Sequence, residues 1–300
     1  MNKLNVVCGA LVIDGKVMIA QRNYGSSKGF FEFPGGKVEL GESPEQACRR
    51  EIYEEVGIGL KEWHPFDIIR HEYEDVIVNL HLFHAHVPEE MLNQIHQPWT
   101  WYQRDQLASL NFPKANVVIL ERLIWSHLIK ISDQIDALPH HNFQMYWRIQ
   151  TAEIEQIEQQ LEVLTDEQLQ KIIINTDIYQ NMNMVLQSRV KTIHLKQSQL
   201  MALKKGELIV GKRFIAACHD AVSLQHAQHI GCDAVFLSPV KATETHPNVK
   251  VLGWNDFAAL AQKSDIPVFA LGGVAPEDLE QAQKHHAYGL AGIRQFSSIN

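Results

Sequence analysis

Three glutamates, Glu51, Glu54 and Glu55, fall at i, i+3 and i+4 within the run Gly36 to Ile58, GKVELGESPEQACRREIYEEVGI. On a helix that spacing puts all three carboxylates on one face. Acids so crowded repel one another unless a cation lies among them. Hard oxygen ligands that leave room for water and phosphate oxygens suit Mg2+, with Mn2+ as a substitute. Such a cluster can hold a metal-bound diphosphate and activate an attacking water. The whole run fits G-x5-E-x7-R-E-U-x-E-E-x-G-U, where U is a bulky aliphatic residue, and Glu42 and Arg50 fill its remaining charged positions. A merely solvated helix face would not need the glycines, Glu42, Arg50 and the acid triplet all in register.

Local signals supply the element that carries these acids. Ser43-Pro44-Glu45-Gln46 reads as a helix start, with Ser43 as cap, Pro44 in the first turn and Gln46 completing a capping box. Gly57 supplies the stop. Upstream, Pro34-Gly35-Gly36 allows close backbone approach and brings main-chain carbonyls, Gly35 among them, within reach of the same metal.

A chain of 300 residues accommodates two domains. Its net charge of −8 argues against attachment to nucleic acid polymers or anionic membranes, which call for a basic surface. Four cysteines without a C-x-x-C pair indicate neither a zinc ribbon nor a redox motif. They read as reduced thiols of a cytoplasmic protein. The N-terminal apolar run is broken at Asp14-Gly15 and reads as strand, turn, strand rather than signal peptide.

Up to about residue 87 the pattern is mostly strand around one helix, and Pro113 opens a helix expected to run to about Ile129. The polar stretch Ser132 to Asn142 is the expected linker. Beyond it short apolar strands alternate with amphipathic helices. Seven strands are read, near 146–150, 171–175, 192–195, 214–218, 234–238, 267–271 and 288–293. Strand then helix, repeated, predicts a parallel barrel. The count predicts one βα unit missing or merged. Residues 1–130, 131–143 and 144–300 are thus expected as first domain, linker and barrel.

The first domain resembles the Nudix hydrolases, and more narrowly the bacterial MutT-type 8-oxo-dGTP diphosphatases. The resemblance rests on the box above, on Phe31-Glu32-Phe33-Pro34-Gly35-Gly36-Lys37 ahead of it and on Asn111-Phe112-Pro113-Lys114-Ala115-Asn116 after it. It implies a mixed sheet between helices, catalytic roles for Arg50, Glu51, Glu54 and Glu55, and a metal shell of the Gly35 carbonyl with those three glutamates. It also implies that Arg22, Phe33 and Asn116 hold an oxidised guanine. From spacing alone Asn116 reads equally as a helix cap. The family places a further acid just before the tryptophan matching Trp101, where this chain has Thr100, so the general base is left open between Glu51 and another box glutamate.

The second domain resembles thiamine phosphate synthase, a TIM-barrel family. The resemblance rests on Ile172-Ile173-Ile174-Asn175, Ile193-His194-Leu195, Cys218-His219-Asp220, Ser238-Pro239-Val240, Thr243-Glu244-Thr245-His246 and Ala270-Leu271-Gly272-Gly273-Val274. It implies a phosphate site at Gly272, Gly273 and Gly292, where two tight turns are the alternative. Departures are Thr176, Gln199, Ala217 and His246 at positions where the family handles diphosphate. Together the resemblances imply Mg2+-dependent hydrolysis of a nucleoside triphosphate, 8-oxo-dGTP, to monophosphate and pyrophosphate, which protects DNA replication and repair from oxidised precursors. They imply a barrel inactive as a synthase. The alternatives are a thiamine-pathway diphosphate as Nudix substrate, or a barrel that binds a phosphorylated ligand for regulation.

Overall fold

The computed structural model describes residues 2–23, 25, 28–72, 74–135, 143–149, 153–242 and 249–296. The chain divides into two compact units, Met1–Ile124 with Ile209–Gly211, and Trp125–Leu208 with Lys212–Asn300.

The first unit is a mixed sheet. Its strands are β1 (Asn2–Ile13), β2 (Lys16–Gln21), β3 (Phe31–Glu32), β4 (His64–Glu72), β5 (Val76–His86) and β6 (Thr100–Gln103). They run in the order β3-β2-β1-β5-β4, with β6 paired to β2. The β1–β2 hairpin turns at Asp14 and Gly15, both at positive φ, as the Asp-Gly pair predicts. β1 and β5 are parallel from Asn2↔Val76 to Val12↔His86. Alternation along β1 sends Val7 and Leu11 to one face, against Ala47, Cys48, Ile52 and Val56 of helix α1 (Pro44–Val56). Cys8, Ala10 and Val12 go to the other, where Ile119 and Leu123 of a later helix cover them. Two short helices, α2 (Arg104–Leu107) and α3 (Val117–Leu123), complete the unit.

The helix expected from Pro113 to Ile129 ends early, at Leu123. Ile124 is already extended, with φ −91° and ψ 134°. The segment that follows, β7 (Leu128–Ser132), is a strand. It pairs with β8 (Phe143–Trp147) on one side and β14 (Gly289–Gly292) on the other. Between them lie β9 (Ile172–Asn175), β10 (Thr192–Leu195), β11 (Arg213–Cys218), β12 (Ala234–Leu237) and β13 (Val268–Leu271), and the eight close a parallel barrel. The unit expected to be missing is therefore β7. It lies where the sequence reads helix and linker, so the barrel begins before the expected boundary. The linker's residues 136–142 lie outside the described residues.

Strands buried on both faces explain the continuous apolar runs. Ile129, Ile131, Tyr146, Ile173, Ile215, Phe236 and Phe269 fill the barrel. Ile172, Ile174, Ile193, Val235 and Leu237 face the surrounding helices.

Candidate active site

Helix α1 begins and ends as its sequence dictates. Ser43 accepts from the Gln46 amide while Gln46 returns a bond to Ser43, and Gly57 closes the helix in the left-handed region. With Ile52 and Val56 turned into the core, Glu51, Glu54 and Glu55 are left toward the loop before the helix. Arg50 ties that arrangement together. Its guanidinium bonds Glu42 at 2.8 and 3.0 Å, Glu51 at 2.8 Å, Glu54 at 3.4 Å and the Lys37 carbonyl at 3.0 Å. Those bonds hold the Glu42 carboxyl down at about 2, with the Arg50 bond the largest cause and the Glu39 amide next.

The Pro34–Gly36 loop packs directly on the acids. A Cβ on Gly36 would lie 2.3 Å from the Glu51 carboxylate, and one on Gly35 would lie 2.1 Å from the Val7 carbonyl. Only glycine fits at position 35, where backbone is struck, and a side chain at position 36 would displace the Glu51 carboxylate. The Gly35 amide donates to Glu55 Oε2 at 3.0 Å. Although Glu55 as a residue is exposed, its carboxyl lies under this loop. Desolvation raises its pKa above the usual carboxylate range, Glu51 and Glu32 push it further the same way, and the Gly35 amide and Arg22 oppose them only in part.

Glu32 was not singled out by the spacing of the box. It forms an ion pair with Arg22 and bears on Glu55, so Arg22 lies within electrostatic reach of the acid cluster. Phe31 and Phe33 point to the other face of β3, where Phe33 stacks on Phe112 at 5.5 Å. Phe33 is buried, so its ring is committed to the core and only its main chain is left for a ligand. Asn116 stands at the N-cap position before α3 but makes no side-chain capping bond. The Phe31 amide donates to Asn111, which ties the Asn111–Asn116 segment to β3. Thr100 starts β6 opposite Ile19, and the acid the family pattern places there is absent.

Among the described residues no three His, Cys, Asp or Glu side chains converge closely enough to hold a metal ion by themselves. The donor set nevertheless fits Mg2+, which keeps several waters and takes one or two carboxylates plus substrate phosphates. The Glu55 carboxyl, raised first by burial and then by Glu51 and Glu32, is a buried acid beside other acids, a setting that such a cation relieves.

In the barrel several polar groups at and beyond the C-terminal ends of β9 and β10 bond one another. The Asn175 amide donates to Gln199 at 3.3 Å and to His194 Nδ1 at 3.4 Å. Gln199 Oε1 also accepts from the Lys196 amide, and Lys196 pairs with Asp177 at 3.2 Å. His194 lies against the Tyr146 ring at 4.3 Å. Burial holds its pKa down at about 3, with Lys196 acting the same way. His219 donates from Nδ1 to the Ser238 carbonyl at 2.8 Å. Gly272 and Gly273 have φ of 100° and 66°. A Cβ at Gly272 would strike Pro239 at 2.8 Å. Gly292 has a packing reason of its own, since the buried Phe296 ring lies 2.3 Å from where its Cβ would be. Thr243-Glu244-Thr245-His246 lie outside the described residues.

Residues 6–122 match the NUDIX domain family and residues 143–296 the Thiamine monophosphate synthase family. The 8-oxo-dGTP diphosphatase of Escherichia coli (strain K12) is 32% identical over 126 residues, 41% of this chain and 98% of that protein. The CTP pyrophosphohydrolase of the same organism is 33% identical over 125 residues, 40% of this chain and 91% of that protein. A putative thiamine-phosphate synthase 2 of Aquifex aeolicus (strain VF5) is 36% identical over 80 residues, 27% of this chain, and the match spans only 43% of that relative's length. With the box intact on α1 and an eight-stranded parallel barrel later in the sequence, the chain belongs to the Nudix hydrolases through its first unit and to the thiamine monophosphate synthase family through its second.

Proposed function

We propose that the first unit is a Mg2+-dependent nucleoside triphosphate pyrophosphohydrolase acting on 8-oxo-dGTP, releasing 8-oxo-dGMP and pyrophosphate and so removing an oxidised precursor of DNA. The observation that carries this reading is the acid face of α1 pressed against Gly35 and Gly36, with the Glu55 carboxyl raised first by its burial under that loop and then by Glu51 and Glu32. Glu51, Glu54, Glu55 and the Gly35 carbonyl would hold the cation, which when bound supplies charge neutralisation for the phosphates and a more acidic water. Arg50 fixes Glu51 and Glu42. Glu55 is bonded through Oε2 to the Gly35 amide, and a box glutamate oxygen not engaged by the cation takes the proton of the attacking water, the work for which position 100 has no acid. Arg22, the Phe33 main chain and the Asn116 amide, a donor and an acceptor on one side chain, meet the oxidised guanine.

A screen of the full chain with Mg2+ on 8-oxo-dGTP, dGTP, CTP, ADP-ribose and thiamine diphosphates tests it, with 18O-labelled water reporting which phosphorus is attacked. Preference for 8-oxo-dGTP is the expected result. Faster turnover of CTP or a thiamine diphosphate would move the substrate while leaving the chemistry.

For the barrel we infer a module that binds a phosphorylated small molecule and does not join pyrimidine diphosphate to thiazole phosphate. Departing pyrophosphate needs metal and cations aimed at its developing charge. Gln199 and Asn175 instead bond each other. Growth of a strain lacking thiamine phosphate synthase, rescued by this chain on unsupplemented medium, would overturn that inference. We place the protein in the cytoplasm, in keeping with four buried, unpaired cysteines. Among the described residues no helix is long and apolar enough to cross a membrane.

A further inference from the structure

A lysine that the family's pattern does not single out lies against the Gly272–Gly273 turn. Lys241 sits on the loop leaving β12. Its amide donates to the Gly272 carbonyl at 2.9 Å, just after Val240 donates to Leu271 at 3.0 Å. A Cβ on Gly273 would come within 2.8 Å of Lys241 Cβ, so the root of the lysine side chain crosses directly over the turn. The ammonium reaches Asp278 Oδ2 at 2.8 Å and lies 5.8 Å from the centre of the Trp254 ring. Lys241 is 39% exposed and Asp278 21%. Asp278 has a second task, because the same Oδ2 accepts from the Ala275 amide at 2.9 Å.

We propose that Lys241 is a phosphate-binding residue of the barrel, held by Asp278 until a phosphate monoester docks on the Gly272–Gly273 turn and then exchanged from carboxylate to phosphate. The proposal rests on the reading of the barrel as a phosphate-binding module. A half-exposed lysine–carboxylate pair contributes little, so giving it up is a small loss. A phosphate group brings more charge than a carboxylate, and three acceptor oxygens. Backbone N–H groups of a glycine turn at positive φ can share those oxygens without any charged side chain. Lysine's flexible four-carbon stem lets the ammonium swing while its Cβ stays over Gly273. Asp278, released, still accepts from Ala275 and is not left without a partner. Burial pulls the Asp278 carboxyl upward, but the bonds from Lys241 and Ala275 outweigh it and leave its pKa below the ordinary range, so it remains an anion that competes with phosphate.

The experiment titrates the full chain with inorganic phosphate in EDTA, following the amide signals of Gly272 and Gly273 by 15N NMR. Saturable shifts are expected for the wild type. Lys241→Gln should weaken binding about tenfold, the scale of one charge-assisted hydrogen bond, and Lys241→Arg should restore most of it. Asp278→Asn keeps an acceptor for Ala275 while removing the competing charge, so it should bind phosphate several-fold more tightly. Wild-type affinity in both Lys241→Gln and Asp278→Asn, or weaker binding in Asp278→Asn, would overturn the role of Lys241 and leave the barrel reading standing. No saturable shift in the wild type would bring down both.

Discussion

The acid face of α1 and the mouth of the barrel are both rich in polar side chains, yet they treat charge in opposite ways. Around α1, Arg50 serves Glu42 and Glu51, and its bond to Glu54 is long at 3.4 Å. Glu55 is left pushed up by burial, with Glu51 and Glu32 adding to the effect. Among the described residues at the barrel mouth, Lys196–Asp177 and Lys241–Asp278 join opposite charges, and Asn175–Gln199 joins two neutral amides. Unrelieved like charge is a demand for a cation. A satisfied network makes no such demand and tolerates a ligand only by exchanging partners. Two sites of similar composition are thus separated by whether their charges already cancel.

The comparison breaks most sharply at the first site. Glu54→Gln or Glu55→Gln should lower turnover by at least about a hundredfold with little change in melting temperature, since each removes a metal-directed charge and opens no cavity. Steady-state kinetics beside a thermal melt checks it, and turnover within about tenfold of wild type would remove the metal role from that residue.

A pH titration of stability sharpens the barrel's side. His194 has a folded pKa of about 3 against an ordinary 6.5, so the fold prefers the neutral ring. Its contribution is fully present above pH 6.5 and is lost progressively as pH falls toward 3. The linkage amounts to about 2 kcal/mol by pH 5. His194→Gln should flatten that slope in denaturant unfolding measured from pH 7.5 to 5, and an unchanged slope would assign the acid sensitivity elsewhere.

The smallest effect lies at base selection. Asn116→Ala should cut the preference for 8-oxo-dGTP over dGTP by about tenfold while slowing dGTP less, because a lost contact is felt only where it existed. Equal losses on both substrates would leave Asn116 only its place at the start of α3.

What the sequence determined by itself is what short-range rules encode. The box helix, its Ser43 cap and Gly57 stop, the single face shared by three acids and the Asp14-Gly15 turn all depend on residues a few positions apart. The barrel strands from β8 to β14 were legible because each is a compact apolar run between turn signals. Tertiary structure decided the rest. The apolar positions of β7 continue the stripe of α3, and only pairing with β14, more than a hundred residues away in the chain, tells strand from helix. Spacing within the box holds no sign that Glu32 joins Arg22 to the acid cluster, or that the Phe33 ring is spent on Phe112. Nor does it place Lys241 over Gly273. These are contacts between segments that meet only in the folded chain, and the energy that selects them comes from packing and charge in three dimensions, to which local periodicity is blind.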